Sequence, residues 1–164
     1  MIATPADIET FLETLTATPQ RIASVSTGLE NARLHFKPDK NTWSANDILA
    51  HLRACADVWG RSMAAMLEQD HPTLRYVSPR AWIRKTNYPS LEFRASLLAF
   101  TAQRDDLLKQ LKPLAFEDWS RAASFTATTL GRQETVFSYA RRMALHERAH
   151  CEQIEALLKY NSIV

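Results

Sequence analysis

Apolar residues recur every three or four positions along four long stretches of this chain, the spacing of one buried helical face. In the first stretch that face is Ile8, Phe11, Leu12, Leu15, Ile22, Val25 and Leu29, and Thr4, Pro5 and Asp7 supply a cap, a first-turn proline and an answering acid. The pattern crosses Pro19, whose missing N–H and ring predict a kink or break near residue 18, and Gly28 is placed to end the element. Residues 30–43 read as a connection in which Pro38, Asp39, Lys40 and Asn41 form turns. The second helix has the clearest start, with Trp43 to staple, Ser44 to cap and Asp47 to answer; its inward stripe is Ile48, Leu52, Cys55, Trp59, Met63 and Met66, running to about Glu68. Residues 70–90 hold three prolines and no sustained period, which predicts a long loop with one short helix around Ala81. A third helix is predicted over 91–111, with Leu91, Ala95, Leu98, Thr101 or Ala102, Asp105 and residues 108–111 facing inward and Pro113 as the stop. Residues 114–131 form a second connection, β-prone at 124–129, and a last helix covers 133–160.

Four amphipathic helices, no convincing sheet and no internal repeat predict an all-α fold, an up-down four-helix bundle with one long crossover and a long loop between the second and third helices. The 164 residues fit one domain, 1–164. Composition narrows the chemistry. With three glycines, Gly-rich phosphate loops are poor candidates, and no uncharged apolar run approaches the ~18 residues of a membrane span. Twenty basic against eighteen acidic residues give +2, too even to mark a nucleic-acid surface. Two cysteines, Cys55 and Cys151, make no disulfide framework, and without a secretory signal pattern the expected compartment is the reducing cytoplasm.

The last helix carries the chemistry. Its inward stripe is Val136, Tyr139, Met143, His146, His150, Ile154 and Leu157, so two histidines stand where a bundle would place Leu. Imidazoles four residues apart share a helix face and can reach one metal ion; the bland alternative is that each ring bonds a neighbouring helix or opens to solvent. Residues 146–150 also spell H-E-x-x-H, the zinc-protease pattern, but no further His follows, and Glu152 and Glu155 lie too close on the same helix to act as the distant third ligand. Glu147 is then a solvated charge or a group behind the metal ligands. His51, one turn beyond Asp47, is the best third ligand; His35 and His71 are expected to be exposed. Cys55 lies one turn beyond His51 on the same face and is a candidate to support or complete the site, against the commoner reading of a buried thiol. Cys151 is rotated about 100° from His150. Trp59, Trp82, Tyr88, Trp119 and Tyr139 could line a pocket, and Arg104, Arg141 and Arg142 could hold an anionic substrate, although aromatic stripes are more often core and paired arginines more often solvated.

Trp43, Ser44 and the run Ile48, Leu49, Ala50, His51, Leu52 resemble the second-helix signature of the DinB/YfiT-like superfamily. The run from His146 through Glu147, Arg148, Ala149, His150, Cys151, Glu152 and Gln153 to Ile154 resembles its fourth-helix signature, in which an acidic residue commonly follows the first His. Phe100 with Arg104, the 107–111 run, Asp118 with Trp119 and Arg121, and Gly131 add to the likeness, which covers nearly the whole chain. The resemblance implies a four-helix bundle binding a divalent metal through three histidines, here His51, His146 and His150. Ala149 stands where many members carry another His or polar residue. Three neutral ligands suit zinc, nickel or ferrous iron and leave an open position.

The resemblance further implies a metal-dependent enzyme that activates a small thiol, as an S-transferase, or water, as a hydrolase. The family's characterised members include thiol-dependent S-transferases and a thiol-dependent isomerase, and many others are described as metal-dependent hydrolases. A bundle with a structural metal or none is the competing expectation. Expected partners are a small-molecule substrate, a low-molecular-weight thiol and a second copy of the chain as a homodimer, with no nucleic acid and no membrane.

Overall fold

A computed structural model describes residues 3–127 and 132–160. The helices are α1 (Pro5–Ser26), α2 (Asn31–His35), α3 (Ala45–Glu68), α4 (Pro79–Ile83), α5 (Phe93–Leu111) and α6 (Val136–Tyr160). Three short strands, β1 (Thr73–Arg75), β2 (Ala122–Thr126) and β3 (Arg132–Thr135), and 3-10 turns at Tyr88–Ser90 and Phe116–Ser120 complete the chain.

Helix starts follow their caps. Thr4 accepts from the Asp7 amide at α1, and at α3 Ser44 and Asp47 close a reciprocal capping box. No break occurs at Pro19: α1 runs through it, and the ring is buried. Core contacts offset the lost backbone bond, and the hydroxyls of Thr10, Thr14, Thr16 and Thr18 each donate to the carbonyl four residues back. Gly28, at φ +74°, turns the chain out of the helix. The 30–43 connection contains α2, and Asp39 Oδ1 caps its turn by accepting from the Asn41 and Thr42 amides.

The four long helices pack in the ring order α1, α5, α3, α6, so α1 sits diagonal to α3 and α5 diagonal to α6. Two core clusters fix their directions. One joins Ile8, Phe11 and Leu15 from the start of α1 to Met63 and Met66 from the end of α3, Leu108 and Leu111 from the end of α5, and Val136 and Tyr139 from the start of α6. The other joins Ile22 at the end of α1 to Ile48 and Leu52, Phe93 and Phe100, and Ile154 and Leu158. The order is therefore up, down, down, up. Helices α3 and α5 run parallel, and the residues between them form the long crossover that parallel neighbours require.

That crossover climbs the outer side of α3 on successive rungs. The Arg61 guanidinium lies over Trp82 at 4.6 Å, and Asp57 Oδ2 accepts from Trp82 Nε1 at 2.9 Å and Tyr88 Oη at 2.7 Å. Higher up, Arg53 stacks on Tyr88 at 3.9 Å, and Asn46 Nδ2 donates to the Pro89 carbonyl at 3.1 Å. The short helix expected around Ala81 is α4.

A small sheet, absent from the sequence reading, closes the lower end. Strand β2 pairs in parallel with β1, placing Thr73 opposite Ser124, and antiparallel with β3, placing Ala122 opposite Thr135. Phe125 points inward and stacks on Tyr139 at 5.4 Å. Residues 132–135 are thus strand, and the last helix starts at Val136 rather than 133. Positions 128 and 129 of the β-prone stretch, and Gly131, lie outside the described residues.

The inward face of α5 also differs from the sequence reading. Phe93, Ser96, Phe100, Arg104, Leu107, Leu108 and Leu111 are buried, whereas Leu98 is 73% exposed. A face that includes a serine and an arginine is invisible to a hydrophobic count, which therefore phases the apolar stripe on the wrong residues. Among the described residues no helix is long and apolar enough to cross a membrane.

Candidate metal centre

Helices α3 and α6 lie side by side and antiparallel, which brings His51 on one against His146 and His150 on the other. The Nε2 atoms of His51 and His146 face each other at 3.1 Å. Ring centroids are 5.0 Å apart for His51 and His146, 5.2 Å for His51 and His150, and 4.4 Å for His146 and His150. Cys55 Sγ lies 3.6 Å from His51 Nε2, and one donor atom each from His51, Cys55 and His146 fall within 4.8 Å of one another. His150 is outside that tighter set; its Nδ1 pairs with Gln153 Oε1 at 2.9 Å, which orients the ring and leaves Nε2 free to donate its lone pair.

All three rings are held neutral. Burial, then the repulsion a protonated His150 would exert and the Arg80 charge, pull His51 down to about 4. Burial and the other two imidazoles pull His146 down to about 3. His150 is also lowered by burial, partly offset by Gln153. Neutral imidazole is the ligand form. Burial, then the Glu147 carboxylate, push the Cys55 thiol up, with Arg104 opposing.

The donor set fits a divalent ion. Two nitrogens bound tetrahedrally at about 2.0–2.1 Å stand about 3.3–3.4 Å apart, close to the observed His51–His146 separation. The Nδ1 atoms of both rings are buried with no hydrogen-bond partner, so these rings are not satisfied core histidines. Two tryptophans enclose the group. Trp43 lies 5.1 Å from His51 and stacks over His150 at 6.2 Å, and Trp59 meets His146 edge-on at 5.1 Å. The sequence names Trp43 as a staple and Trp43 and Gln153 as parts of the two family signatures, but assigns neither a contact with the histidines, although the three-residue step from His150 to Gln153 is a usable signal.

Glu147 is neither a solvated charge nor turned toward the imidazoles. One residue on from His146, it points to the bundle centre, where its Oε1 accepts from Arg104 Nη2 on the diagonal helix α5. Both side chains are 1% exposed. Arg104 Nη1 lies 2.9 Å from Met143 Sδ, so Arg104 is no substrate clamp. Arg142 pairs with Glu134 at 2.6 Å, and Arg141 lines a surface groove beside it. His71 is exposed as expected, but His35 is half-buried with Nε2 unpartnered. Trp82 and Tyr88 hold the crossover, while Trp119 and Tyr139 belong to the lower core; of the five candidate pocket aromatics, only Trp59 reaches the histidines.

A profile described as DinB superfamily matches residues 14–154. No curated protein matches the sequence. Among solved structures, the chain is similar to YfiT from Bacillus subtilis, described as a probable metal-dependent hydrolase with an unusual four-helix bundle topology; the TM-score is 0.84 at 14% identity, over 98% of this chain and 91% of that one. At that identity the likeness speaks for the fold. The chain belongs to the DinB superfamily.

Proposed function

We propose that this protein holds a divalent metal ion through His51, His146 and His150 and acts as a metal-dependent hydrolase on a small molecule. The observation that carries the reading is the pair of buried, neutral imidazoles facing each other at 3.1 Å across the α3–α6 seam, with the third ring beside them. Zinc, nickel and ferrous iron all suit such ligands. When bound, the ion supplies Lewis-acid chemistry, lowering the pKa of a water toward about 7 and polarising the bond to be broken. The chain's own residues keep the imidazoles deprotonated by burial, orient His150 through Gln153 and exclude bulk water with Trp43 and Trp59. Glu147, tied to Arg104, does not serve as the general base of a zinc protease. The structural neighbour's description as a probable metal-dependent hydrolase favours water over a thiol as nucleophile.

The test starts with protein purified without a histidine tag. Metal analysis should give one divalent ion per chain, and a panel of small esters and amides should be cleaved by the wild type but not by His146→Ala. Metal-dependent conjugation of a small thiol to an electrophile, with no hydrolysis, would replace water by thiol. Absence of bound metal after reconstitution would overturn the proposal.

A further inference from the structure

Cys55 is the buried nucleophilic group closest to the histidines, and its place is set by α3: four residues after His51, it projects from the same face one turn on. It is 1% exposed and belongs to the lower core cluster, whereas Cys151 lies in the upper one. The Cys55 distances are those of a ligand. Around a tetrahedral ion, a sulfur at about 2.3 Å and a nitrogen at about 2.0–2.1 Å stand about 3.5–3.6 Å apart. Cys55 Sγ and His51 Nε2 are 3.6 Å apart, and His146 closes the triangle within 4.8 Å. Two edges of one coordination polyhedron are thus present in the folded chain, His51–His146 and His51–Cys55, sharing the His51 nitrogen.

We propose that Cys55 is a thiolate ligand of the metal, joining His51 and His146, so that the centre is a mixed nitrogen and sulfur site rather than one of imidazoles alone. The inference rests on the metal-binding reading above. On coordination the S–H bond breaks, the proton passes to solvent and a metal–sulfur bond forms, with no change of oxidation state. With His150 also a ligand, His51, His146, His150 and Cys55 would together hold the ion, and water would reach it only by expansion of the shell. The thiolate offsets part of the ion's charge and selects against hard ions such as magnesium and manganese in favour of zinc.

Cobalt(II) substitution tests this without reference to activity. In the full-length protein, a cysteine-ligated cobalt ion gives an intense sulfur-to-metal charge-transfer band in the near ultraviolet, and imidazole-only ligation gives visible bands alone. The wild type and Cys151→Ser should both show the charge-transfer band, and Cys55→Ser should lose it while retaining the visible bands and one cobalt per chain. Cys151→Ser leaves Cys55 as the only thiol, so its spectrum decides the matter even if Cys55→Ser does not fold. Cobalt bound with no charge-transfer band in the wild type, or a band lost in Cys151→Ser, overturns the thiolate ligand and leaves the metal centre standing. Failure to bind cobalt at all overturns the centre itself.

Discussion

Breaking the Arg104–Glu147 pair from the arginine side should cost this protein a large part of its stability. The two groups come from diagonal helices and meet in the bundle centre, each 1% exposed, so no water stands ready to replace the missing partner. Burial already pushes the Glu147 carboxyl up, and the Arg104 charge is the chief influence pulling it back. Arg104→Met keeps an unbranched side chain of moderate volume and removes only the charge and its hydrogen bonds. Orphaning one member of a buried pair costs about 3–5 kcal/mol, against a total stability of about 5–15 kcal/mol for a typical domain. For a chain of this length that corresponds to a fall in Tm of about 6–20 °C.

The sign of the pH dependence follows from the same contacts. In Arg104→Met the folded-state pKa of Glu147 rises further above its unfolded value, so the folded form binds more protons between the two. The variant's deficit should therefore be greatest above the raised folded pKa and shrink as pH falls through it toward the unfolded value. Urea unfolding of chelator-treated wild type, Arg104→Met, Glu147→Met and the double variant, each at several pH values, reads this directly. The double variant should be more stable than Arg104→Met, because it removes the orphaned carboxyl as well. Additive losses in the double variant, or an Arg104→Met deficit that grows on acidification, would refute the buried pair as described.

The remaining expectations concern the site and the helix faces. In Cys55→Ser, where no thiol proton is displaced, metal affinity should persist well below the free-histidine value of about 6.5 and weaken as pH falls toward the lowered values of His51, about 4, and His146, about 3; indicator competition on that variant showing half the affinity lost above pH 6.5 would contradict the burial of these rings. Because the folded pKa values are depressed, the metal-free protein should keep this part of its stability above pH 6.5 and lose it progressively in acid, which urea midpoints would show. Copper(II) or nickel(II) titration should quench tryptophan fluorescence, less so in the Trp43→Phe and Trp59→Phe variants, with His71→Ala behaving as wild type; quenching unchanged in both Trp variants would separate these rings from the ion. On α5, Phe100→Ala should cost about 3–5 kcal/mol and Leu98→Lys less than about 0.5 kcal/mol in chemical denaturation, and the reverse order would restore the face read from the sequence.

What the sequence made legible was whatever rests on local chemistry. The capping box at Ser44 and Asp47, the turn at Asp39 and the three- and four-residue steps through His146 and His150 all depend on neighbours within one helical turn, and all appear in the structure. The α5 face, the sheet and the role of Glu147 depend on partners distant in sequence. Arg104 and Ser96 face inward because Glu147 and Arg53 await them, and β1 is a strand only because β2 lies beside it. Continuity at Pro19 likewise reflects burial, which periodicity cannot weigh.

The bundle's direction order links these long-range features to the site. With α3 and α5 parallel, α6 must enter from the lower end, and the lower sheet, whose β3 leads directly into Val136, sets where that entry occurs. A strand with alternating faces admits no one-residue slip without turning its buried side outward. The β2–β3 register, with Ala122 opposite Thr135, therefore fixes the axial position of α6. From Val136 to His146 the helix rises about 15 Å, which carries the first histidine from the sheet to the level of His51. At that same level Glu147 crosses to Arg104, so one turn of α6 is held from two sides: by the diagonal ion pair at the centre and by the imidazoles at the α3 seam. Through Glu147 the ion pair thus ties to the bundle centre the same helix that presents two of the three histidines.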